Sequence, residues 1–220
     1  MLLQDTSESA HYAIAMGQRM LSALTPGAAD ITHAGIYGDG GVILEASGSG
    51  HGLQPGLLWD KKETYHFEIY RYHQREVAAK AAEWAWNMVL ERNAGSGYYS
   101  KFRALKSLFH RSTLSSLGRA KIQSMKAHAL ADDLSWMIGD RGFYCSGFVV
   151  KCFIMATAHE VGNPINLDYR YVTPKRLHGE LIRNPHQWSR VGFITAGSFR
   201  GMHSSMTPAH AVSAAAGGAV

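Results

Sequence analysis

The chain has 220 residues, of which 46% are hydrophobic and 18% charged, and its formal net charge is +5. This length and composition are typical of globular proteins and allow a full hydrophobic core without disulfides or metal ions. The sequence has no apolar run of about 18 residues for a membrane-spanning helix and no N-terminal signal-peptide pattern. We therefore expect a protein that is cytoplasmic or exported by a signal-independent secretion system.

Hydrophobic periodicity and turn residues predict the regular elements of the first half of the chain. They are a helix opened by a capping box at residues 5–8 and stopped by Pro26, strands at residues 32–37, 42–46 and 65–72, a flexible loop at residues 47–55, and a helix at residues 74–92. The helix at residues 74–92 has the clearest apolar stripe, formed by Val77, Ala81, Trp84, Ala85 and Met88.

The second half of the chain is expected to be mostly helical. The pattern predicts two less regular helices within residues 98–138, a helix at residues 144–160, and short elements around Pro174 and Pro185 before a last strand at residues 190–195. Residues 201–220 are rich in Ala and Gly without apolar periodicity, which predicts a disordered tail. We expect one domain at residues 1–200, with a basic helical insertion at about 98–138.

Positive charge is concentrated between residues 93 and 131, where no acidic residue occurs. The basic residues of this stretch are Lys101, Arg103, Lys106, Arg111, Arg119, Lys121 and Lys126. Such a stretch is either a solvated helix face or a surface for anionic partners. Any anionic surface contact is expected through Lys101, Arg103, Lys106 and Arg111, without recognition of a specific nucleic acid.

The two cysteines, Cys145 and Cys152, are seven residues apart. On a helix with about 1.5 Å of rise per residue they are separated by roughly 10 Å, which is too far for a disulfide. We predict two reduced thiols and neither a cofactor nor a metal site, because the sequence has no CxxC spacing and no HExxH motif. A GxSxG elbow and a P-loop are also missing from the sequence.

Cys145 follows the turn residues Gly139–Gly142 and opens an apolar run with helical spacing. In the first turn of a helix, the positive end of the helix dipole favours a thiolate, which is the nucleophilic form of cysteine. Cys152 falls within the buried stripe of the same helix, where a small core side chain is expected. From its position alone, Cys145 could be either a nucleophile or a small core side chain.

A histidine–carboxylate pair is predicted by the hairpin at residues 32–46. Matching the apolar faces of its strands places Ile36 opposite Val42 and leaves a three-residue loop, 38–40, with a glycine for the left-handed position. The same register sets His33 directly opposite Glu45, with Cβ atoms about 5 Å apart.

The candidate catalytic residues are therefore Cys145, His33 and Glu45. A carboxylate fixes the tautomer of an imidazole and favours the imidazolium beside a thiolate. The alternative interpretation of His33 and Glu45 is an ordinary cross-strand ion pair. Asp30 and Asp39 are nearby substitutes for the carboxylate role, although turn formation also accounts for both.

Residues 32–37 (THAGIY), 41–46 (GVILEA) and 143–149 (FYCSGFV) resemble the circularly permuted branch of the NlpC-type papain-like superfamily. In that branch, the histidine strand precedes the cysteine helix. The lecithin:retinol acyltransferase relatives share the histidine, a second polar residue further along and a late cysteine. Glu45, twelve residues beyond His33, takes the second polar position here.

The resemblance is closest over residues 32–47 and 140–155, and the basic stretch has no counterpart in the branch. It implies an α+β fold with a small antiparallel sheet or open barrel packed against a nucleophile-bearing helix and additional helices. It also implies attack on an amide or ester carbonyl through an acyl-enzyme, with the backbone N–H of Cys145 as an oxyanion donor.

Members of this branch include cell-wall peptide hydrolases and lipid acyltransferases or deacylases. We therefore expect a cysteine hydrolase of a cell-envelope substrate such as peptidoglycan peptides, acting as a delivered antibacterial effector with a delivery or immunity protein as partner. One alternative is a lipid acyl hydrolase or acyltransferase that uses the same site. Another, from a different class, is a non-catalytic binder of anionic surfaces or nucleic acid.

Overall fold

The structure, a computed structural model, describes most of the sheet and the helices that pack on it. The described residues are 2–5 (backbone only), 31–47, 52–58, 60, 66–91, 100, 103, 104, 106, 107, 113–134 and 143–194. Within these ranges the chain forms an α+β fold with one antiparallel sheet and four helices, which confirms the predicted α+β class with a small antiparallel sheet.

The sheet has six described strands in the order β4-β3-β2-β1-β5-β6, and each pair of neighbours is antiparallel. The strands are β1 (Leu2–Asp5), β2 (Ile31–Tyr37), β3 (Val42–Ser47), β4 (Gly52–Leu57), β5 (Phe67–Tyr72) and β6 (Trp188–Ile194). Because β1 pairs with both β2 and β5, it joins the hairpin of β2 and β3 to the rest of the sheet.

The helices are α1 (Arg75–Glu91), α2 (Ser116–Leu130), α3 (Cys145–Ala156) and α4 (Pro174–Arg183). Helix α3 is buried continuously from Cys145 to Met155 and contacts α1, α2, β2 and β3. A helix that is apolar on all sides belongs in the centre of a core. The main hydrophobic core accordingly surrounds α3, and a smaller cluster of Ile43, Phe67 and Ile194 forms separately.

The predicted apolar stripe of α1 is buried as expected, and α3 begins where the sequence places it. Helix α3 ends at Ala156, earlier than the predicted residue 160, because the chain then turns. Lys126 of α2 holds this turn, since its Nζ donates to the carbonyl oxygens of Glu160 and Gly162 at 2.8 Å each. Lys126 is only 4% exposed, so it is not part of a basic surface patch.

Two strands were not predicted from the sequence, and one helix was expected only as a short element around Pro174. Strand β1 precedes the helix expected after residue 5, and that helix lies outside the described residues. Strand β4 replaces most of the loop expected at residues 47–55; its glycines and Pro55 are rare in strands, but β4 is an edge strand, where Pro is tolerated. Helix α4 starts with Pro174 after the Thr173 cap, whose Oγ1 accepts from the backbone N–H of Arg176.

The hairpin of β2 and β3 is present, but its predicted register is wrong by two residues. Gly35 pairs with Glu45 and Ile36 with Leu44, so Ile36 does not face Val42. Residues 39–41 form a 3-10 turn in which Gly40 and Gly41 both have positive φ, and Gly41 therefore belongs to the turn. A shift of two residues preserves the face on which each side chain lies.

The basic insertion predicted at residues 98–138 is described in part, as helical backbone at residues 103, 104, 106 and 107 and as α2. The predicted tail at residues 201–220 lies outside the described residues. Among the helices that the structure describes, none combines the length and apolar character needed to cross a membrane.

Candidate active site

Cys145 is the first residue of α3, and its side chain is 3% exposed. The preceding residue, Tyr144, is extended and provides no side-chain cap for the helix. The first amides of a helix have no acceptor within the helix itself. The Cys145 sulfur therefore lies at a helix start where backbone N–H groups and the helix dipole favour negative charge.

Two hydrogen bonds anchor the start of α3 to residues 169–172, which we call the clamp segment. The hydroxyl of Tyr144 donates to the carbonyl oxygen of Tyr169 at 2.7 Å, and the hydroxyl of Ser146 donates to that of Val172 at 2.6 Å. Both bonds are buried, so if either one were broken, its donor and acceptor would have no water molecules to bond with instead. These bonds flank Cys145 on both sides and fix its position.

Gly147 permits this close packing. A Cβ at this position would lie 2.6 Å from the Tyr169 carbonyl oxygen and 2.8 Å from the Tyr144 ring. Distances this short are steric clashes, and the nearest atom belongs to backbone that cannot rotate away. The glycine two residues after Cys145 is therefore required by the contact between α3 and the clamp segment.

The hairpin supplies a buried histidine–carboxylate pair. The Nε2 of His33 lies 2.8 Å from Oε2 of Glu45, and the two residues are 7% and 1% exposed. Gln54 of β4 donates from its amide to Oε1 of Glu45 at 3.3 Å. Both carboxylate oxygens of Glu45 are thus engaged, which fixes the direction from which this side chain meets the imidazole.

His33 also reaches Cys145, so the structure brings the three sequence-derived candidates together. Cys145 is one of the two side chains whose charge and hydrogen bonding act on the His33 imidazole, and its sulfur lies 4.0 Å from the carbonyl oxygen of Thr32. Burial lowers the pKa of His33, but the negative charges of Cys145 and Glu45 outweigh burial and raise this pKa to about 9. The imidazolium is therefore the favoured form of His33 at neutral pH.

The other cysteine has a different environment. Cys152 is fully buried two helical turns beyond Cys145, within the main core, and burial raises the pKa of its thiol. Both thiols are free, as predicted. Of the alternative carboxylates, Asp39 is exposed in the hairpin turn, and Asp30 lies outside the described residues.

Sequence reasoning missed Gln54 and a second histidine–carboxylate pair. Gln54 directly faces Glu45 in the sheet, a position that could be recognised only if β4 had been read as a strand. In the second pair, Nε2 of His178 lies 2.9 Å from Oε2 of Glu68, which also accepts from the Tyr70 hydroxyl at 2.8 Å. His178 and Glu68 are 110 residues apart, so no local pattern predicts their contact.

The basic stretch is distributed over several environments. Arg103 lines a cavity beside Tyr144, and Lys106 lies over the ring of Tyr171, with Nζ 5.7 Å from its centroid. Two of the four residues expected to meet an anionic surface thus lie next to the clamp segment. The other two, Lys101 and Arg111, fall outside the described residues.

Within the described part of the chain, no group of three or more His, Cys, Asp and Glu side chains is arranged to hold a metal ion. Neither the protein-family models nor the characterised proteins and solved structures with which the chain was compared give a significant match. The function is therefore inferred from the geometry of Cys145, His33 and Glu45.

Proposed function

We propose that the protein is a cysteine hydrolase with a permuted papain-like arrangement, in which Cys145 is the nucleophile and His33 the acid–base. The observation that carries the proposal is the contact of a buried, carboxylate-bound imidazole with a cysteine at the first residue of a helix. An ordinary core cysteine needs neither a helix start nor an ionised partner. Nucleophilic catalysis by cysteine needs both a stabilised thiolate and a proton carrier.

The proposed reaction begins with attack of the Cys145 thiolate on the carbonyl carbon of an amide or ester. The carbonyl oxygen becomes an oxyanion, for which the backbone N–H of Cys145 at the helix start serves as a donor. His33 then gives its proton to the leaving amine or alkoxide as the carbon–heteroatom bond breaks. A thioester between Cys145 and the acyl group remains.

Hydrolysis of the thioester completes the cycle. Neutral His33 takes a proton from a water molecule whose oxygen attacks the thioester carbonyl, and the carbon–sulfur bond breaks to release a carboxylic acid and the thiolate. Because Nε2 of His33 is bonded to Glu45, these protons pass through Nδ1. Glu45 holds the ring in this orientation and stabilises its cation, which makes it a positioning residue.

For the substrate, we propose an amide bond of the cell envelope, such as one in peptidoglycan peptides. The resemblance of residues 32–37, 41–46 and 143–149 to NlpC-type enzymes supports this choice, together with the order of a histidine strand before a cysteine helix. Of the two leucines of β4 that a lipid-binding surface could use, Leu53 is fully buried and Leu57 is 43% exposed. A single exposed leucine is ordinary on a protein surface and does not favour a lipid substrate.

The proposal is tested by following covalent modification of Cys145. We expect mass spectrometry to detect an acyl adduct on Cys145 after the protein is mixed with purified cell-wall fragments. Cys145→Ala and His33→Ala should abolish turnover. Cys152→Ser is the matched control; it should keep turnover but lose stability, because burying a hydroxyl costs about 1–3 kcal/mol.

Three outcomes would contradict the proposal or its substrate. Full turnover in Cys145→Ala would remove the nucleophile assignment. Release of fatty acid from phospholipid vesicles without cleavage of cell-wall fragments would replace the peptide substrate by a lipid. Salt-sensitive binding to anionic surfaces that Cys145→Ala leaves unchanged, in the absence of any turnover, would instead indicate a non-catalytic binder.

A further inference from the structure

A serine and a histidine are hydrogen-bonded to each other at the exposed end of the β5–β6 pair. The Oγ of Ser189 in β6 lies 2.6 Å from Nε2 of His73, the residue that follows β5. Both residues are exposed, so small molecules in solution can reach them. Strand β1 lies between β5 and β2 in the sheet, and this pair is therefore separate from His33 and its hairpin.

Two further hydrogen bonds hold His73 in place. Its Nδ1 lies 2.9 Å from the carbonyl oxygen of His186, and its backbone N–H donates to that of Gln187 at 2.8 Å. The turn that carries these carbonyl groups is itself closed, because the backbone N–H groups of Gln187 and Trp188 both donate to the carbonyl oxygen of Asn184 at 3.0 Å. The imidazole is thus oriented before any ligand binds.

The hydrogen bond to the carbonyl oxygen determines the tautomer of His73. A carbonyl oxygen only accepts, so Nδ1 must carry the hydrogen. In the neutral imidazole Nε2 then has no hydrogen, and the Ser189 hydroxyl donates to it. A hydroxyl that donates to an imidazole, which is in turn held by a third group, is the arrangement that activates a serine as a nucleophile.

Arg71 places a positive charge on the same face of the sheet. It lies directly opposite Ser189 in the register of β5 and β6, so the two side chains share a face. The next pair, Tyr72 and Trp188, faces the other way into the main core, where the ring centroids are 4.9 Å apart. A guanidinium beside the serine favours the oxyanion of an acyl transfer and a carboxylate on the acyl donor.

We infer that Ser189 is a second nucleophile, which accepts acyl groups from activated esters, with His73 as its general base and Arg71 favouring anionic donors. The Oγ of Ser189 attacks the ester carbonyl carbon while Nε2 of His73 takes the hydroxyl proton. The carbonyl re-forms as the bond to the leaving oxygen breaks, and His73 gives the proton to that oxygen. Ser189 remains as an acyl ester. No step involves Cys145, so this activity is independent of the proposed hydrolase reaction.

The first test measures acetylation of the full chain by 4-nitrophenyl acetate, a neutral activated ester, with peptide mass spectrometry as the readout. Ser116 at the start of α2 is the internal control, because it is also exposed and has no histidine bonded to it within the described residues. Ser189 should react about 100-fold faster than Ser116, which is the lower end of catalysis by a positioned base. Urea should abolish this difference. Equal rates in the folded protein would overturn the inference.

The same measurement in Cys145→Ala tests whether the two activities are independent. The rate at Ser189 should equal that of the wild type, whatever happens at the cysteine. A fall to the rate of Ser116 would mean that the acetyl group comes from Cys145, and it would overturn Ser189 as a nucleophile in its own right.

His73→Asn distinguishes a general base from a residue that only fastens the turn. The asparagine amide takes the place of Nδ1 and can still donate to the His186 carbonyl oxygen, but the basic Nε2 is lost. Acetylation of Ser189 should fall about 100-fold, with a melting temperature close to that of the wild type. His159→Asn, at another exposed histidine, should change neither quantity. Acetylation of Ser189 at the wild-type rate in His73→Asn would show a structural role and overturn the inference.

The role of Arg71 is tested with acetylsalicylate, an anionic aryl ester, and its neutral methyl ester. The ratio of their rates at Ser189 should fall about three-fold in Arg71→Gln at low salt, as expected for charges about 6 Å apart in water. Lys121→Gln removes the same charge from the exposed side of α2 and should leave the ratio unchanged. An unchanged ratio in Arg71→Gln, or an equal fall in both variants, would overturn the preference for anionic donors.

Discussion

Glu45 contacts His33 along a diagonal of the β2–β3 hairpin, while the residue directly opposite Glu45 is Gly35. Diagonal neighbours in a sheet are within reach of long side chains, and a glycine between them leaves that path open. A Cβ at Gly35 would lie 2.7 Å from Cγ2 of Ile43 and 3.6 Å from Cβ of Glu45. A side chain at position 35 would thus have to displace Ile43, while its distance from Glu45 would be an ordinary van der Waals contact.

The first prediction concerns the charge state of His33. Glu45→Gln removes one of the two negative partners, so the pKa of His33 should fall below its value of about 9 in the wild type. Cys145→Ala should lower the same pKa at least as far, because Cys145 has the larger influence. NMR titration of the imidazole Cε1–H, assigned with His33→Gln, measures both shifts; a pKa that neither variant changes would contradict this account.

The second prediction follows from the same raised pKa and concerns stability. The folded pKa of about 9 exceeds the ordinary 6.5, so protonated His33 stabilises the fold fully below pH 6.5 and loses this contribution as pH rises through about 9. The free energy of unfolding should therefore decline over this range. Denaturant titrations at several pH values should show a smaller decline in Glu45→Gln than in the wild type.

The third prediction tests the packing of α3 on the clamp segment. Gly147→Ala should reduce the free energy of unfolding by about 1–3 kcal/mol, because its Cβ meets the Tyr169 carbonyl oxygen at 2.6 Å. Gly179→Ala in α4 is the control, since nothing lies within 4 Å of its added Cβ. That change should stabilise the protein by about 0.5–1 kcal/mol through helix propensity. Equal effects of the two changes would contradict the steric argument.

The fourth prediction concerns the second histidine–carboxylate pair. Burial raises the pKa of Glu68, but hydrogen bonds from His178 and Tyr70 outweigh burial and lower this pKa below its ordinary value of 4.5. Ionised Glu68 therefore stabilises the fold above pH 4.5, and this contribution is lost as pH falls through the lower folded pKa. Glu68→Gln should flatten the acid decline in melting temperature, whereas Glu83→Gln at an exposed pair should leave it unchanged.

The fifth prediction concerns the lysine that holds the turn after α3. Lys126→Met keeps the buried stem but loses two hydrogen bonds, to the carbonyl oxygens of Glu160 and Gly162. We expect a loss of about 1–3 kcal/mol in the free energy of unfolding. Lys121→Met on the exposed side of α2 removes the same charge and should change stability little. A comparable loss in both variants would indicate a general charge effect.

Strong periodicity explains which elements could be predicted from the sequence. The apolar stripe of α1 and the apolar run of α3 both indicate a helix and no other element. The alternation of apolar and polar residues in β2 and β3 determines which side chains share a face of the sheet. The exact register depends on the turn, where two consecutive glycines adopt positive φ. That detail does not follow from hydrophobicity, so the pair of His33 and Glu45 was predicted while its diagonal geometry was not.

Other parts of the site depend on contacts between distant segments. Gln54 comes from an edge strand whose composition is typical of a loop, and the clamp segment meets α3 through its backbone. Arg103 and Lys106 were recognised as basic residues, but their position beside the cysteine helix comes from tertiary packing. The local sequence pattern identifies residue types of this kind, but it does not show which residues contact one another in the fold.

The anchors of the cysteine helix end on main-chain oxygens at residues 169 and 172. Every amino acid supplies a carbonyl oxygen, so exchanging the side chains at these two positions would leave the acceptors in place. The donors, in contrast, are the hydroxyls of Tyr144 and Ser146, which few residues could replace. In related chains, the position of the nucleophile would thus depend on conserving these two hydroxyl side chains. The side chains of the clamp segment could vary without moving the sulfur.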